Sequence, residues 1–106
     1  MGPQTISVTV EQDHANVALR GEHEAYTADK LAKQITALLD EGVGVTIDLR
    51  EAAFIDSTVV GVLIAGLRRA QERGLALELV LGDETGWPVR RMIEVTGLEE
   101  QFHVVD

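Results

Sequence analysis

Residues 45–63 hold the pattern that decides the fold. Val45-Thr46-Ile47-Asp48-Leu49 alternates apolar and polar side chains, as in a central strand. The chain soon continues as Phe54-Ile55-Asp56-Ser57-Thr58-Val59-Val60-Gly61-Val62-Leu63, where apolar residues recur at spacings of three and four, as in an amphipathic helix. The segment therefore predicts a strand, a short turn at Ile55–Thr58 and a helix over residues 57–73.

The residues before this segment predict a hairpin and a helix. Thr5–Val10 alternates, with Ile6, Val8 and Val10 on one face, as in a half-buried strand. Asn16–Arg20 is predicted as a second short strand after a polar turn, with Val17 and Leu19 facing inward. The period then changes to that of a helix from Thr27 to Asp40, with Thr27 predicted as its N-cap.

The residues after it predict one more strand, a third helix and a short closing strand. Gly74 and Gly97 stand where helix C-terminal glycines belong, and Pro88 suits the first turn of a helix. The order β-β-α-β-α-β-α, with a possible last strand, predicts an α/β fold: a mixed, largely parallel sheet with an N-terminal antiparallel hairpin and covering helices. The predicted segments are Leu75–Leu81, Pro88–Val95 and Phe102–Val105, within one domain over residues 1–106.

Composition excludes several classes of protein. The 106 residues include 18 acidic and 9 basic side chains, a net charge of −9, which disfavours binding to nucleic acid or to an anionic membrane. There is no cysteine, so disulfides, thiol nucleophiles and zinc–thiolate sites are excluded. The longest apolar run, Val59–Leu67, is far shorter than the roughly 20 residues of a membrane span, and no signal peptide is evident. We expect a cytoplasmic protein.

Enzyme signatures are weak. His14, His23 and His103 fall in a predicted turn, loop and strand without metal-ligand spacing, and we expect all three to be solvated, with no metal site. No glycine-rich loop follows a strand, and Ser57 lacks a GxSxG context. Gly61 and Gly66 fall within a helix, where close packing against the sheet is their expected role. The sequence predicts no catalytic residue and no cofactor.

Ser57 has two interpretations. Asp56, Ser57 or Thr58 suits a helix N-cap, which is the default role of these residues at such a position. The carboxyl edge of an α/β sheet is also where ligands bind, and a phosphate on Ser57 would add about −1.5 to −2 charge at the positive end of a helix.

The chain resembles the STAS domains of anti-sigma factor antagonists. Residues 54–63 are similar to the family pattern F-[IM]-D-S-[ST]-G-L-G-V-L, and Leu19-Arg20-Gly21-Glu22 to its early GELD segment. Residues 89–98 resemble its VRRVLELTGL helix, and residues 102–106 its usual ending.

This resemblance implies a partner switch. In such systems the unmodified antagonist binds an anti-sigma factor with a histidine-kinase-like ATPase fold, which phosphorylates the serine after Asp, and a phosphatase reverses the reaction. Ser57 matches the phosphoacceptor, and ATP would belong to the partner. The resemblance also implies a partner-binding surface of six residues, Glu24, Asp56, Ser57, Thr58, Val59 and Gly61.

Some positions depart from the family pattern. Val59-Val60 replaces Gly-Leu, which puts a β-branched residue two positions from the acceptor hydroxyl, and Glu24 stands where the family usually has Asp. Trp87, in an unusual loop, is either an exposed partner anchor or a staple packed on the third helix.

Two other functions stay open. An acyl carrier protein is also small and acidic with an Asp-Ser motif, although it is wholly helical. A STAS subunit without a switch, in a stressosome or a lipid-transport complex, would bind its partner whatever the state of Ser57.

Overall fold

Nine elements make up the computed structural model, which describes residues 4–106. In chain order they are β1 (Thr5–Glu11), β2 (His14–His23), α1 (Ala25–Asp40), β3 (Gly44–Ile55), α2 (Ser57–Glu72), β4 (Leu77–Val80), α3 (Trp87–Thr96), α4 (Leu98–Gln101) and β5 (His103–Val105).

The strands form one sheet in the order β1-β2-β3-β4-β5. β1 and β2 are antiparallel, and every later neighbour pair is parallel. This confirms the predicted fold class. Each parallel pair is joined by a crossover that contains helix, as parallel pairing requires.

Apolar side chains gather on one face of the sheet. Val17, Ile47 and Leu79 are partners across β2, β3 and β4, and all three are fully buried in the same cluster as the inner faces of α1 and α2. The other face carries Thr46 and Glu78, which are joined by a hydrogen bond of 3.1 Å. The core therefore lies between one face of the sheet and the helices.

β1 lies at the rim of this core. Of its apolar row only Ile6 packs against the core, whereas Val8 is 36% exposed and Val10 is 51% exposed. The prediction of a half-buried strand therefore holds only at Ile6, because the helices cover the sheet from β2 onward.

β2 and β3 are longer than predicted because they pair along nearly their whole length. The pairing runs from His14 opposite Gly44 to His23 opposite Ile55, with irregularities near Ala18–Arg20 and Gly21–Glu22. The C-terminal part of β3 thereby extends beyond β4 and carries the chain to the start of α2.

Helix α1 begins earlier than the sequence indicates. Its N-cap is Glu24, whose carbonyl accepts the amides of Thr27 and Ala28, both at 2.9 Å. Thr27 was wrongly predicted as the cap: it lies within the first turn, and its hydroxyl is 3.3 Å from the Glu24 carbonyl oxygen.

His14 and His23 were predicted in the wrong elements, although His14 is exposed as expected. His14 begins β2 rather than lying in a turn, since the hairpin loop contains only Gln12 and Asp13. His23 is the last residue of β2 and is 1% exposed, so it is not a solvated loop residue.

The two helical glycines differ in their surroundings. A Cβ on Gly66 would lie 3.1 Å from Ile35 and 3.2 Å from Leu77, which confirms close packing at this position. Gly61 faces open space instead, so the expectation that it packs against the sheet was wrong.

Candidate functional site

Asp56 joins three elements at the carboxyl edge of the sheet. As the N-cap of α2, it accepts the Val59 amide at Oδ1 at 3.0 Å. Its Oδ2 accepts the Ala25 amide, in the first turn of α1, at 3.1 Å. Its own amide donates to the His23 carbonyl at the end of β2, at 3.2 Å. Asp56, not Ser57 or Thr58, is therefore the cap, and it fixes two helix N-termini beside each other.

The Asp56 carboxylate is held in its charged form. Burial raises its pKa, but hydrogen bonds from the Val59 amide, the Thr58 hydroxyl and the Ala25 amide together lower the pKa below its usual range. The positive ends of both helix dipoles act in the same direction.

Ser57 is the first residue of α2 and is exposed. Its hydroxyl makes no hydrogen bond to residues 4–106, since Asp56 already caps the helix. Thr58 is also exposed, and its hydroxyl helps to lower the pKa of Asp56. Ser57 is the exposed hydroxyl that directly follows the capping carboxylate.

Val59 lies differently from the other predicted site residues. Its side chain is fully buried and that of Val60 is 5% exposed, so both valines point into the core. A β-branched residue at 59 therefore does not stand over the Ser57 hydroxyl, and Val59 presents no side chain to a partner.

Gly61 and Thr58 line an open groove between α1 and α2. The groove has a volume of about 520 Å³ and runs from Thr58 towards Arg68 and Arg69 near the end of α2. Gly61 is exposed within it, with no atom that a methyl group would contact. It brings the backbone of α2 to the surface four residues after Ser57.

His23 supports the site from beneath. One ring nitrogen, Nε2, lies 3.0 Å from the Arg20 carbonyl oxygen, to which it must donate. The other, Nδ1, lies 3.0 Å from the Thr27 hydroxyl. Burial lowers the pKa of His23, partly offset by hydrogen bonding to the Arg20 carbonyl. A neutral ring can donate a hydrogen bond from Nε2 and accept one from the Thr27 hydroxyl at Nδ1, so it satisfies both contacts. These two bonds connect the end of β2 to α1.

Trp87 lies near this edge and is 74% exposed. The exposure excludes the alternative of a packed staple on α3. Gly86 sets its position: the Gly86 amide donates to the Ala52 carbonyl at 2.8 Å, and a Cβ on Gly86 would meet the Ala53 carbonyl oxygen at 2.3 Å. Ala53 is four residues before Ser57, so the Cα atoms of Ala53 and Ser57 lie within about 13 Å of each other. The contact of Gly86 with Ala53 therefore brings Trp87 to the part of β3 that leads to Ser57.

The structure adds a residue that sequence reasoning missed. Tyr26 is 89% exposed in the first turn of α1, next to the Ala25 amide that Asp56 binds. The available signal was a lone tyrosine in an otherwise polar segment just before the predicted helix.

Acidic side chains lie along the carboxyl edge of the sheet. We call Glu22, Glu24, Asp83 and Glu84 the acidic rim: all four are exposed, lie at or beyond the carboxyl ends of β2 or β4, and form no ion pair within the described part of the chain. The site therefore combines one free hydroxyl, two exposed aromatic rings and a negative border.

Over residues 4–106, no group of three or more His, Asp or Glu side chains converges as a metal site would require. No helix in this range is both long enough and apolar enough to cross a bilayer.

The family model described as "Mlab, STAS domain" matches residues 6–106. The chain belongs to the STAS domain family. The match includes the whole site, from the end of β2 to the start of α3, and supports the resemblance found in residues 54–63.

Curated relatives narrow the family to anti-sigma factor antagonists. An anti-sigma-B factor antagonist of Listeria monocytogenes is 32% identical over 104 residues, covering 93% of this chain and 88% of the relative. One from Bacillus subtilis is 26% identical over 97 residues, covering 90% and 86%.

A solved structure has the same fold. The anti-sigma factor antagonist of Mycobacterium paratuberculosis matches with a TM-score of 0.82 at 24% identity, covering 97% of this chain and 86% of that one.

Proposed function

We propose that this chain is a cytoplasmic anti-sigma factor antagonist whose binding to an anti-sigma factor is controlled by phosphorylation of Ser57. The observation that carries the proposal is the Ser57 hydroxyl, which is exposed and unbonded at the N-terminus of α2 because the Asp56 carboxylate does the capping. The antagonist names of the curated relatives support it.

The fold can accept a phosphate at this position. The positive end of the α2 dipole favours an anion there, and the phosphate projects into solvent from the first helical residue. Because Ser57 is exposed, the folded chain leaves the phosphate in water, whereas a partner that covers this surface must desolvate the added charge. A coupling of about 1–3 kcal/mol would change affinity about 5- to 150-fold.

In this switch the chain itself performs no catalysis. The partner is an anti-sigma factor with a histidine-kinase-like ATPase fold, which supplies ATP and transfers its terminal phosphate to Ser57. A separate phosphatase removes it. This chain contributes the acceptor, its surroundings and the binding surface: Glu24, Asp56, Ser57, Thr58 and Gly61, with Trp87 and Tyr26 at the border.

A pull-down with matched baits tests the switch. Wild type, Ser57→Glu and Ser57→Ala are used on lysate of the native host, and captured proteins are identified by mass spectrometry. We expect wild type to capture an anti-sigma factor of ATPase fold, Ser57→Glu to lose it, and Ser57→Ala to retain it.

Incubation of the captured kinase with labelled ATP then tests the acceptor. Label should appear on wild type and Thr58→Ala, but not on Ser57→Ala. Capture of the same partners by wild type and Ser57→Glu, without labelling, would refute the switch and favour a non-switching STAS subunit.

A further inference from the structure

The outer edge of β1 is unusually open for an edge strand. Residues 5–10 read Thr-Ile-Ser-Val-Thr-Val, an uncharged segment in which five of the six residues are β-branched. Val8 and Val10 are exposed, and the first charged side chain of the strand is Glu11. Edge strands normally carry lysine, proline or a bulge that prevents further pairing. Within the described residues, β1 has none of these and pairs with β2 alone.

The outer edge of β1 has backbone N–H and C=O groups that can form hydrogen bonds with another strand. The loop Gln12–Asp13 has two residues, and its flanking residues Glu11 and His14 are partners across the hairpin. In a hairpin with a two-residue loop, this first pair is a hydrogen-bonded pair. Hydrogen-bonded and non-bonded pairs alternate along an antiparallel ladder. Ile6, Val8 and Val10 therefore direct their N–H and C=O groups away from β2.

The strand is complementary to itself. About a twofold axis at Val8, an antiparallel second copy pairs all seven residues of β1, and no other antiparallel register does. Val8 then faces Val8, Ile6 faces Val10 on the apolar side, and Ser7 faces Thr9 on the polar side. Glu11 faces Thr5, so no carboxylate lies directly opposite another.

We propose that the β1 edge binds a second copy of this chain, forming a ten-stranded sheet across a twofold axis at Val8. The exposed row of Val8 and Val10 supports this occupant, since each meets a β-branched partner in this register. The interface is one strand wide, below the roughly 1,200–2,000 Å² of a standard complex, so the dimer is a weak one. The inference is independent of the role of Ser57.

The net charge of the chain predicts how self-association should depend on salt. Each copy carries a net charge of −9, and the copies repel each other at long range. Salt screens that repulsion, so self-association should strengthen as salt increases from about 0.05 to 0.5 M. Binding of the acidic rim to a basic partner should change in the opposite direction.

Single-cysteine variants test the register directly, since the native chain has no cysteine. Across the axis, the two Val8 Cα atoms would be about 5.5 Å apart, within the range that a disulfide spans. The two Val10 Cα atoms would be more than about 13 Å apart, although Val10 is the more exposed residue. Under mild oxidation, Val8→Cys should form a covalent dimer at least tenfold faster than Val10→Cys.

Sedimentation velocity provides the second test. Wild type should dimerise as its concentration rises to about 1 mM, whereas Val8→Lys, which sets two ammonium groups opposite each other, should remain monomeric. Val95→Lys is the matched control: the same change at a residue of α3 that is 60% exposed. Circular dichroism checks that all variants fold. Equal crosslinking of Val8→Cys and Val10→Cys, or a wild type that is monomeric throughout, overturns the proposal.

Discussion

The Oδ2 atom of Asp56 accepts the backbone amide of Ala25 at 3.1 Å, across 31 residues of sequence. The other oxygen of the same carboxylate caps α2 at Val59. One side chain thus holds together the starts of α1 and α2, and Ser57 lies directly beside it. The geometry of the proposed acceptor depends on this bridge.

Substitution of Asp56 should separate its two contacts. Asp56→Ala removes both and should lower the free energy of unfolding by about 1–2 kcal/mol, as for a strong N-cap. Asp56→Asn keeps one acceptor oxygen, and asparagine is itself a good cap, so its loss should be at most half as large. Urea denaturation measures both. Equal losses for the two variants would show that the Ala25 and Val59 bonds do not act independently.

The sequence predicted the parts of this site that follow from local pattern. The alternation of residues 45–49 and the helical period after Ser57 depend only on nearby residues, and both placed Ser57 correctly at a helix start. The bond from Asp56 to Ala25 could not be predicted, because it depends on how β2 and β3 pair. The burial of His23 has the same cause: β2 extends beyond the predicted Arg20 to remain paired with Ile55.

Stability should depend on pH through His23. Burial lowers the pKa of His23 in the folded protein, so the unfolded chain binds the proton more readily. The free energy of unfolding should therefore fall as pH drops below about 6.5, the usual pKa of histidine, and level off once the folded protein is protonated as well. Urea denaturation between about pH 8 and 5 measures this slope.

His23→Gln is the control for that dependence. Its amide can donate to the Arg20 carbonyl and accept from Thr27, but it does not titrate. The slope between about pH 6.5 and 5 should become flatter in this variant. Asp56 and Asp48 do not interfere in this range. The pKa of Asp56 is lowered, and that of Asp48 is lowered by its hydrogen bonds with Arg50, so their contribution to the free energy of unfolding is lost only below about pH 3.9. A slope unchanged by His23→Gln would exclude His23 as its source.

The same substitution at the two glycines of α2 should change the free energy of unfolding in opposite directions. Gly61→Ala adds a methyl group in open space and should raise the free energy of unfolding by roughly 0.5–1 kcal/mol. Gly66→Ala brings a methyl group within 3.2 Å of Ile35 and Leu77, so overpacking should outweigh the gain in helix propensity. Thermal and urea denaturation of both variants check the sign. A stabilised Gly61→Ala protein that binds the captured anti-sigma factor more weakly would place the partner against α2.

Trp87 should matter for binding and not for folding. It is 74% exposed, so Trp87→Ala should change the free energy of unfolding by less than about 0.5 kcal/mol. If the ring anchors the partner, the same change should weaken binding at least tenfold, since a tryptophan hot spot contributes about 2 kcal/mol or more. Calorimetry with the purified partner measures the affinity. Tyr26→Ala tests the exposed ring in the first turn of α1, and Val95→Ala, at an exposed residue of α3, controls for loss of exposed apolar surface in general. Unchanged affinity in both aromatic variants would restrict the interface to Ser57 and the α1–α2 groove.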